Sequence, residues 1–381
     1  MELKYNSKYP SIESLREKAR KRVPGFAFQY LDRGCNEETN LRKNTEAIRE
    51  IELIPYYLRE APNVSLKTEL FGEEYNAPFG IAPVGLQGMI WPKAPEILAK
   101  AAYEYNIPYC LSTVSTASIE TIGEITHGKA WFQLYNPQED ALRNDLLDRL
   151  KQSGYKTLVI LADVPSFGYR HSEIKNGLSM PPKMTLNNFL QVGMSPQWAL
   201  KTLIAGQPEF KSLKKYMQNR MNLKHLGLFM NKTFNGRLTE DKVKAIRDKW
   251  DGNLVIKGVS SEEDAEKCIQ LGLDGIWVSN HGGRQLDAGE SSVASLDRVN
   301  SVAKGKAKIM MDSGIRTGPD IASTMSKGAD FTFLGRSFMY GVGALGSQGG
   351  SHTISILMRQ LQQVMDQCGC ETPTMFPNYK V

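Results

Sequence analysis

The sequence predicts a (β/α)8 TIM barrel, and three observations carry the prediction. Eight short β-rich runs recur at residues 79–84, 108–113, 131–136, 157–164, 254–259, 275–280, 308–314 and 331–336. Helical stretches separate most of them, among them 94–106, 141–154, 261–272 and 320–328, and a parallel strand needs such a crossover before the next can join it. No Gly-x-Gly-x-x-Gly follows the first strand, which argues against a doubly wound open sheet.

The elements follow in order along a single domain, 1–381. Residues 1–78 read as helices and a hairpin. Ser11 precedes Ile12-Glu13 as a cap with an acidic first turn, and Pro24-Gly25 starts a second helix in which Tyr30 shares a face with Phe26. Alternating runs around Phe71-Gly72 within 64–79 predict the hairpin. The barrel covers 79–345, and 346–381 forms a C-terminal helix and tail. The fourth connection, 165–253, breaks the rhythm, because roughly 90 residues stand where a βα loop usually has about 2–6. Its segment 189–232 carries Lys201, Lys211, Lys214, Lys215, Arg220, Lys224 and Lys232 against the single acid Glu209, interleaved with Trp198, Leu200, Leu203, Ile204, Phe210, Leu228 and Phe229. Such a segment can lie on an anionic membrane surface, or serve as a solvated lid or subunit contact.

Composition bounds the function. With 41% hydrophobic and 23% charged residues in 381, the chain is an ordinary globular one with enough length for a sizeable core. The net charge of +6 comes without zinc-ligand spacing, an RNA-binding signature or a basic arm, so nucleic acid is not an expected partner. The odd set Cys35, Cys110, Cys268, Cys368 and Cys370 suits a reducing compartment, and no metal site is expected. The N-terminus lacks a signal-like apolar core and no run is long enough to span a bilayer, so a cytoplasmic protein is expected.

In a barrel the C-terminal strand ends meet at one mouth, and here they carry reactive side chains. The third strand ends in Gln133 and Tyr135, and the fourth reaches Asp163, with Arg170 soon after. Lys257, His281 and Arg284 follow from the fifth and sixth, Asp312, Gly314 and Arg316 from the seventh, and Gly335-Arg336 from the eighth. Residues 279–287 read Ser-Asn-His-Gly-Gly-Arg-Gln-Leu-Asp, so a group that exchanges protons near neutral pH, a flexible glycine pair and an anion clamp fall together. A surface loop whose His281 and Arg284 cap a helix is the plainer alternative. Lys257 lies in an apolar run and needs a negative partner, which a reduced flavin ring could supply; a Schiff-base lyase would use the same lysine. The glycines and arginines of the last two strand ends suit a phosphate.

The 279–287 stretch resembles the active-site signature of the FMN-dependent L-2-hydroxy acid oxidase and dehydrogenase family, and the likeness extends over most of the chain. The resemblance implies FMN as cofactor and oxidation of a small L-2-hydroxy acid to the 2-keto acid. It makes His281 the base, Asp163 its partner, Arg284 and Tyr30 the carboxylate site, and Arg170 and Tyr135 neighbours of the hydroxyl. Lys257, Gln133, Ser112 and Ser279 belong near the flavin ring, with Pro83, Val84 and Gly85 in the loop beside it. Asp312, Gly314, Arg316, Gly335 and Arg336 belong around the ribityl phosphate. Departures from the glycolate oxidase pattern are Val114 in place of a tryptophan, which enlarges the substrate pocket, Leu161 in place of a threonine, and Gly85 in place of alanine. The runs 85–92 and 111–113 look like mandelate dehydrogenase, and 196–199 and 250–252 like bacterial L-lactate dehydrogenase. These relatives imply electron transfer to quinone or another acceptor, peripheral contact with the cytoplasmic face of the inner membrane through 189–232, and a homotetramer or larger. An oxygen-using oxidase is the alternative.

Overall fold

The computed structural model describes residues 5–178, 184–217, 229 and 232–381. Two antiparallel strands, β1 (Thr68–Leu70) and β2 (Glu73–Tyr75), form the hairpin around Phe71-Gly72. Eight parallel strands follow: β3 (Phe79–Ile81), β4 (Cys110–Ser112), β5 (Trp131–Leu134), β6 (Thr157–Leu161), β7 (Asn253–Val259), β8 (Gly275–Val278), β9 (Lys308–Met311) and β10 (Phe331–Leu334). Their order is β3-β10-β9-β8-β7-β6-β5-β4, and a parallel bridge between Ile81 and Tyr109 closes the ring. Both faces of these strands are covered, which is why they read as continuous apolar runs.

Seven of the eight strands end two to three residues earlier than the sequence pattern suggested or just before its last residue, and the eighth, β7, ends where expected. The reason lies in the barrel mouth: there the chain leaves the hydrogen-bonded ladder, so Pro83, Val84, Tyr135, Asp163, Gly314 and Arg336 sit beyond the strands and face ligand space or its supports.

The two ends of the barrel are closed differently. At the bottom the hairpin inserts Leu70, Phe71 and Tyr75 against an inner aromatic core of Trp131, Trp277, Phe331 and Phe333. Phe71 lies 5.8 Å from the Trp131 ring, and Trp277 stacks on Phe333 at 3.9 Å. Outside, helix Ile12–Arg22, capped by Ser11 and Ser14, packs against Arg336–Leu345, and the 20-residue helix Gly349–Cys368 packs against Gly318–Ser326. Helix Gly25–Asp32 passes over the mouth and carries Tyr30.

The long connection resolves into helices His171–Lys175, Leu186–Gly193 and Pro196–Ala205, a 3-10 turn Lys211–Tyr216, and Glu240–Arg247, the crossover helix that a barrel needs before β7. Trp198, Phe210 and Leu213 are buried and fasten it to the barrel, and Trp198 donates its indole N–H to the Met89 carbonyl at 3.0 Å. Its other face exposes Leu186, Phe189, Leu190, Met194, Leu200, Leu203 and Ile204. The interleaved apolar residues therefore divide into anchors and a bare face centred on 186–204, ahead of most of the basic residues. Lys214 pairs with Glu209 and Lys215 with Asp145, while Arg220, Lys224 and Leu228 lie outside the described residues. Phe229 packs at 6.4 Å from Phe234.

Candidate active site

A cavity of about 460 Å³ opens at the C-terminal ends of the strands. Pro83, Val84, Gly85, Ser112, Val114, Gln133, Tyr135, Arg170, Lys257, His281, Arg284, Asp312, Gly314, Arg316, Gly335 and Arg336 line it, together with Tyr30. Asp163 and Ser279, also expected at the site, stand just behind the lining and bond to residues that form it.

His281 occupies the left-handed region at φ 59°, and Gly282 and Gly283 continue at 67° and 71°. Three such residues in a row swing the chain sharply at the end of β8. A side chain at Gly283 would strike the backbone of Leu41, and one at Gly282 the guanidinium of Arg336, so the glycine pair serves tight packing against neighbouring protein. The His281 N–H donates to Ser279 Oγ at 3.0 Å, and its ring Nδ1 faces Asp163 Oδ1 at 3.1 Å. Asp163 fits there because β7 has a register shift at Gly258, where any side chain would collide with it.

Burial lowers the His281 pKa most strongly, Asp163 pulls the other way, and Lys257 and Arg170 add to the lowering, so the ring is neutral at pH 7. Burial alone would raise Asp163, but the facing His281 and Lys257 hold it below the ordinary carboxylate range. An ionised Asp163 fixes the imidazole proton on Nδ1 and turns Nε2 toward the cavity as an acceptor.

Lys257 donates to Ser279 Oγ at 2.7 Å and pairs with Asp312 Oδ2 at 3.0 Å; Ser279 and Ser313 donate to Asp312 Oδ1 at 2.6 and 2.7 Å. Burial opposes the Lys257 charge, yet Asp312 and Asp163 outweigh it and raise its pKa above the ordinary value. Asp312 thus supplies the negative partner that the apolar run demanded. A permanently protonated amine is a poor Schiff-base nucleophile, which weighs against the lyase alternative.

Arg284 and Arg170 form a cationic corner. Arg284 Nη1 donates to the carbonyls of Tyr30 at 2.6 Å and Arg33 at 3.1 Å, and its guanidinium lies 5.0 Å from the Tyr30 ring. Arg170 donates to Gln285 Oε1 at 3.0 Å and to the Arg284 carbonyl at 3.3 Å. Burial lowers the Arg170 pKa, with neighbouring Arg284 adding to the effect, and burial raises the phenols of Tyr30 and Tyr135, so both phenols stay protonated. Arg336, lowered to about 9 by burial and by Arg316, spends three donors on the carbonyls of Leu31, Gly282 and Arg33. It reaches the cavity as a tie between helix Gly25–Asp32 and the His281 turn, whereas Arg316 has one guanidinium bond, to the carbonyl of Ile315.

The donor set fits FMN. Gln133 Nε2 is buried at the cavity without a partner, and Lys257 keeps a third ammonium hydrogen beyond Ser279 and Asp312, so the floor offers donors to a ring with carbonyl and nitrogen acceptors. At the far strand ends Gly314, Arg316 and Gly335, the last at the start of helix Arg336–Leu345, suit a phosphate. Among the described residues no group of His, Cys, Asp and Glu could hold a metal ion.

Sequence reasoning missed part of the lining. Glu173, Ile174, Leu178 and Phe210 of the long connection, Leu31 and Leu86, and Phe333 from the inner core all face the cavity. The available signal for Glu173 was its spacing of three from Arg170, which one helical turn brings together.

A model of the family described as FMN-dependent dehydrogenase matches residues 19–378. The L-lactate dehydrogenase of Vibrio parahaemolyticus is 36% identical over 358 residues, 94% of each chain. That of Acinetobacter baylyi is 35% identical over 363 residues, 95% of this chain and 94% of its own. Among solved structures, a monotopic membrane protein, (S)-mandelate dehydrogenase, superimposes with a TM-score of 0.92 at 31% identity, covering 99% of this chain and all of that one. A mandelate oxidase superimposes with a TM-score of 0.82 at 28% identity over 97% of both chains.

Proposed function

Because the chain belongs to the FMN-dependent dehydrogenase family, we propose that its cavity oxidises an L-2-hydroxy acid, lactate- or mandelate-like, to the 2-keto acid. The observation that carries this reading is a neutral His281, backed by Asp163, in the same cavity as the guanidinium of Arg284. His281 Nε2 takes a proton from the substrate, and Asp163 stabilises the imidazolium that results. Arg284 and Arg170 hold the carboxylate, with the protonated phenols of Tyr30 and Tyr135 as further donors. FMN, when bound, would supply the acceptor for the two electrons and the second proton. Ser112, Gln133 and Lys257 would hold its ring, with Pro83, Val84 and Gly85 lining the cavity beside it, and Gly314, Arg316 and Gly335 would hold its phosphate, with Arg336 lining the same end while tied to backbone carbonyls. Ser279 and Asp312 fix Lys257 in place. An apolar wall of Leu86, Val114, Ile174, Leu178 and Phe210 favours an apolar substrate side chain.

The electrons pass on to a membrane quinone. Support comes from the bare apolar face of helices Leu186–Gly193 and Pro196–Ala205, the kind of surface by which a protein without a spanning helix lies on a bilayer. Among the described residues no helix is long and apolar enough to cross a membrane.

A visible spectrum of the purified protein tests the chemistry. A yellow protein that bleaches anaerobically with L-lactate or L-mandelate, and not with their D forms, is expected. Colour that returns at once on admission of air would replace quinone by oxygen as acceptor. Protein that takes up no FMN would sink the reading.

A further inference from the structure

The carboxylate clamp contains its own carboxylate. Glu173 stands on the short helix His171–Lys175, where its Oε1 lies 2.6 Å from Arg284 Nη2 and 3.5 Å from Arg170 Nη1. All three side chains are largely buried, at 13–14% exposure, so solvent screens their charges weakly. The other acceptors on the two guanidinium groups, the carbonyls of Tyr30, Arg33 and Arg284 and the amide oxygen of Gln285, are neutral. The only other acid lining the cavity, among the described residues, is Asp312, and it is matched by Lys257. Two arginines and one glutamate leave the corner with a net charge of one positive unit.

We propose that Glu173 is a specificity-determining residue that sets the clamp to a single positive charge and so restricts the site to substrates with one carboxylate. This rests on the reading of the cavity as a 2-hydroxy acid site. One carboxylate brings the corner to neutrality. A second would be buried without a counter-charge, which costs more than its contacts return. Without Glu173 the corner would carry two positive charges and would welcome a dianion.

A purely structural Glu173, one that only aims Arg284, predicts something different. Its loss would then weaken every anion in parallel, whereas a charge-setting Glu173 makes monoanions and dianions move apart. The test uses the FMN-loaded holoenzyme and its Glu173→Gln variant. Calorimetry measures oxalate binding, and steady-state rates give kcat/KM for L-lactate and L-malate. Removing one charge at this range should tighten oxalate by about tenfold and raise the malate-to-lactate ratio of kcat/KM by a similar factor. The double variant Glu173→Gln with Arg170→Gln restores one positive unit and should return the ratio to the parent value. Arg170→Gln alone should shift it the opposite way, which keeps the test open even if Glu173→Gln does not fold. A ratio that stays within about twofold of the parent in these variants, or parallel losses for all anions, overturns the proposal. If no L-2-hydroxy acid reduces the parent flavin, the functional reading fails separately, and the oxalate series still reports the clamp charge.

Discussion

The strand ends of the barrel and the long connection after β6 build the same cavity from opposite kinds of support. Strand-end residues are locked to one another through buried groups: Lys257 to Ser279 and Asp312, His281 to Ser279 and Asp163. Residues 165–239 bring Arg170, Glu173, Ile174, Leu178 and Phe210 to one side of the cavity while their helices leave large apolar side chains bare on the outside. The difference teaches a division of labour. The groups proposed to move protons, His281 and Asp163, stand just past the ends of the closed strands and are held by bonds to one another and to Ser279, whereas the long connection adds Arg170 and Glu173 beside Arg284 and carries the bare apolar face.

The largest effect expected tests the barrel half. His281→Ala should slow flavin reduction by roughly 10²- to 10⁴-fold while FMN stays bound, because the histidine acts on the substrate and the cofactor is held elsewhere. Rapid reduction in this variant, followed in stopped flow, would remove His281 as base. Asp163→Asn comes next, at about 10²-fold, and its pH profile carries the diagnostic sign. The base works when neutral, so the rate falls as pH drops through the lowered His281 pKa. Asp163 is the group that raises that pKa, so its neutralisation should move the acid limb to still lower pH while reducing the plateau. A limb that moves upward would contradict the pairing. Arg284→Lys should lower kcat/KM by about 10- to 100-fold, since an ammonium cannot reproduce the planar fork, with a larger share in KM than for His281.

The same contrast explains what the sequence disclosed. Strands covered on both faces are written as short apolar runs, so the barrel and the reactive residues at its mouth could be read in order. The link between His281 and Asp163 spans 118 positions and a register shift at Gly258, and only a family resemblance could suggest it. Arg336 lines the cavity as expected, but the capture of its donors by three backbone carbonyls depends on how helix Gly25–Asp32 crosses the mouth, which no local pattern records. In 165–253 the basic and apolar residues were visible, yet not which apolar ones point inward. Trp198 is buried by its bond to Met89 and its edge-on contact with Phe26 at 6.1 Å, while Leu203, five positions on, is 81% exposed.

That last pair yields the smallest expected effect on catalysis and the sharpest test of the outer half. Leu203→Glu changes a side chain that touches little of the protein, so stability should move by no more than about 0.5 kcal/mol and dye-linked turnover should be unchanged. At a bilayer the same change places a carboxylate where apolar surface would be buried and where anionic headgroups repel it. Co-sedimentation with vesicles of mixed neutral and anionic lipid should therefore fall steeply, and quinone-linked turnover with it. Trp198→Ala should do the reverse: it removes an anchor bonded to the Met89 carbonyl and packed on Phe26, loosens the seat of the long connection on the barrel, and lowers dye-linked turnover before any vesicle is added. Should Leu203→Glu bind vesicles as the parent does, the bare face of 186–204 is not the docking surface, and the apolar residues there need another partner.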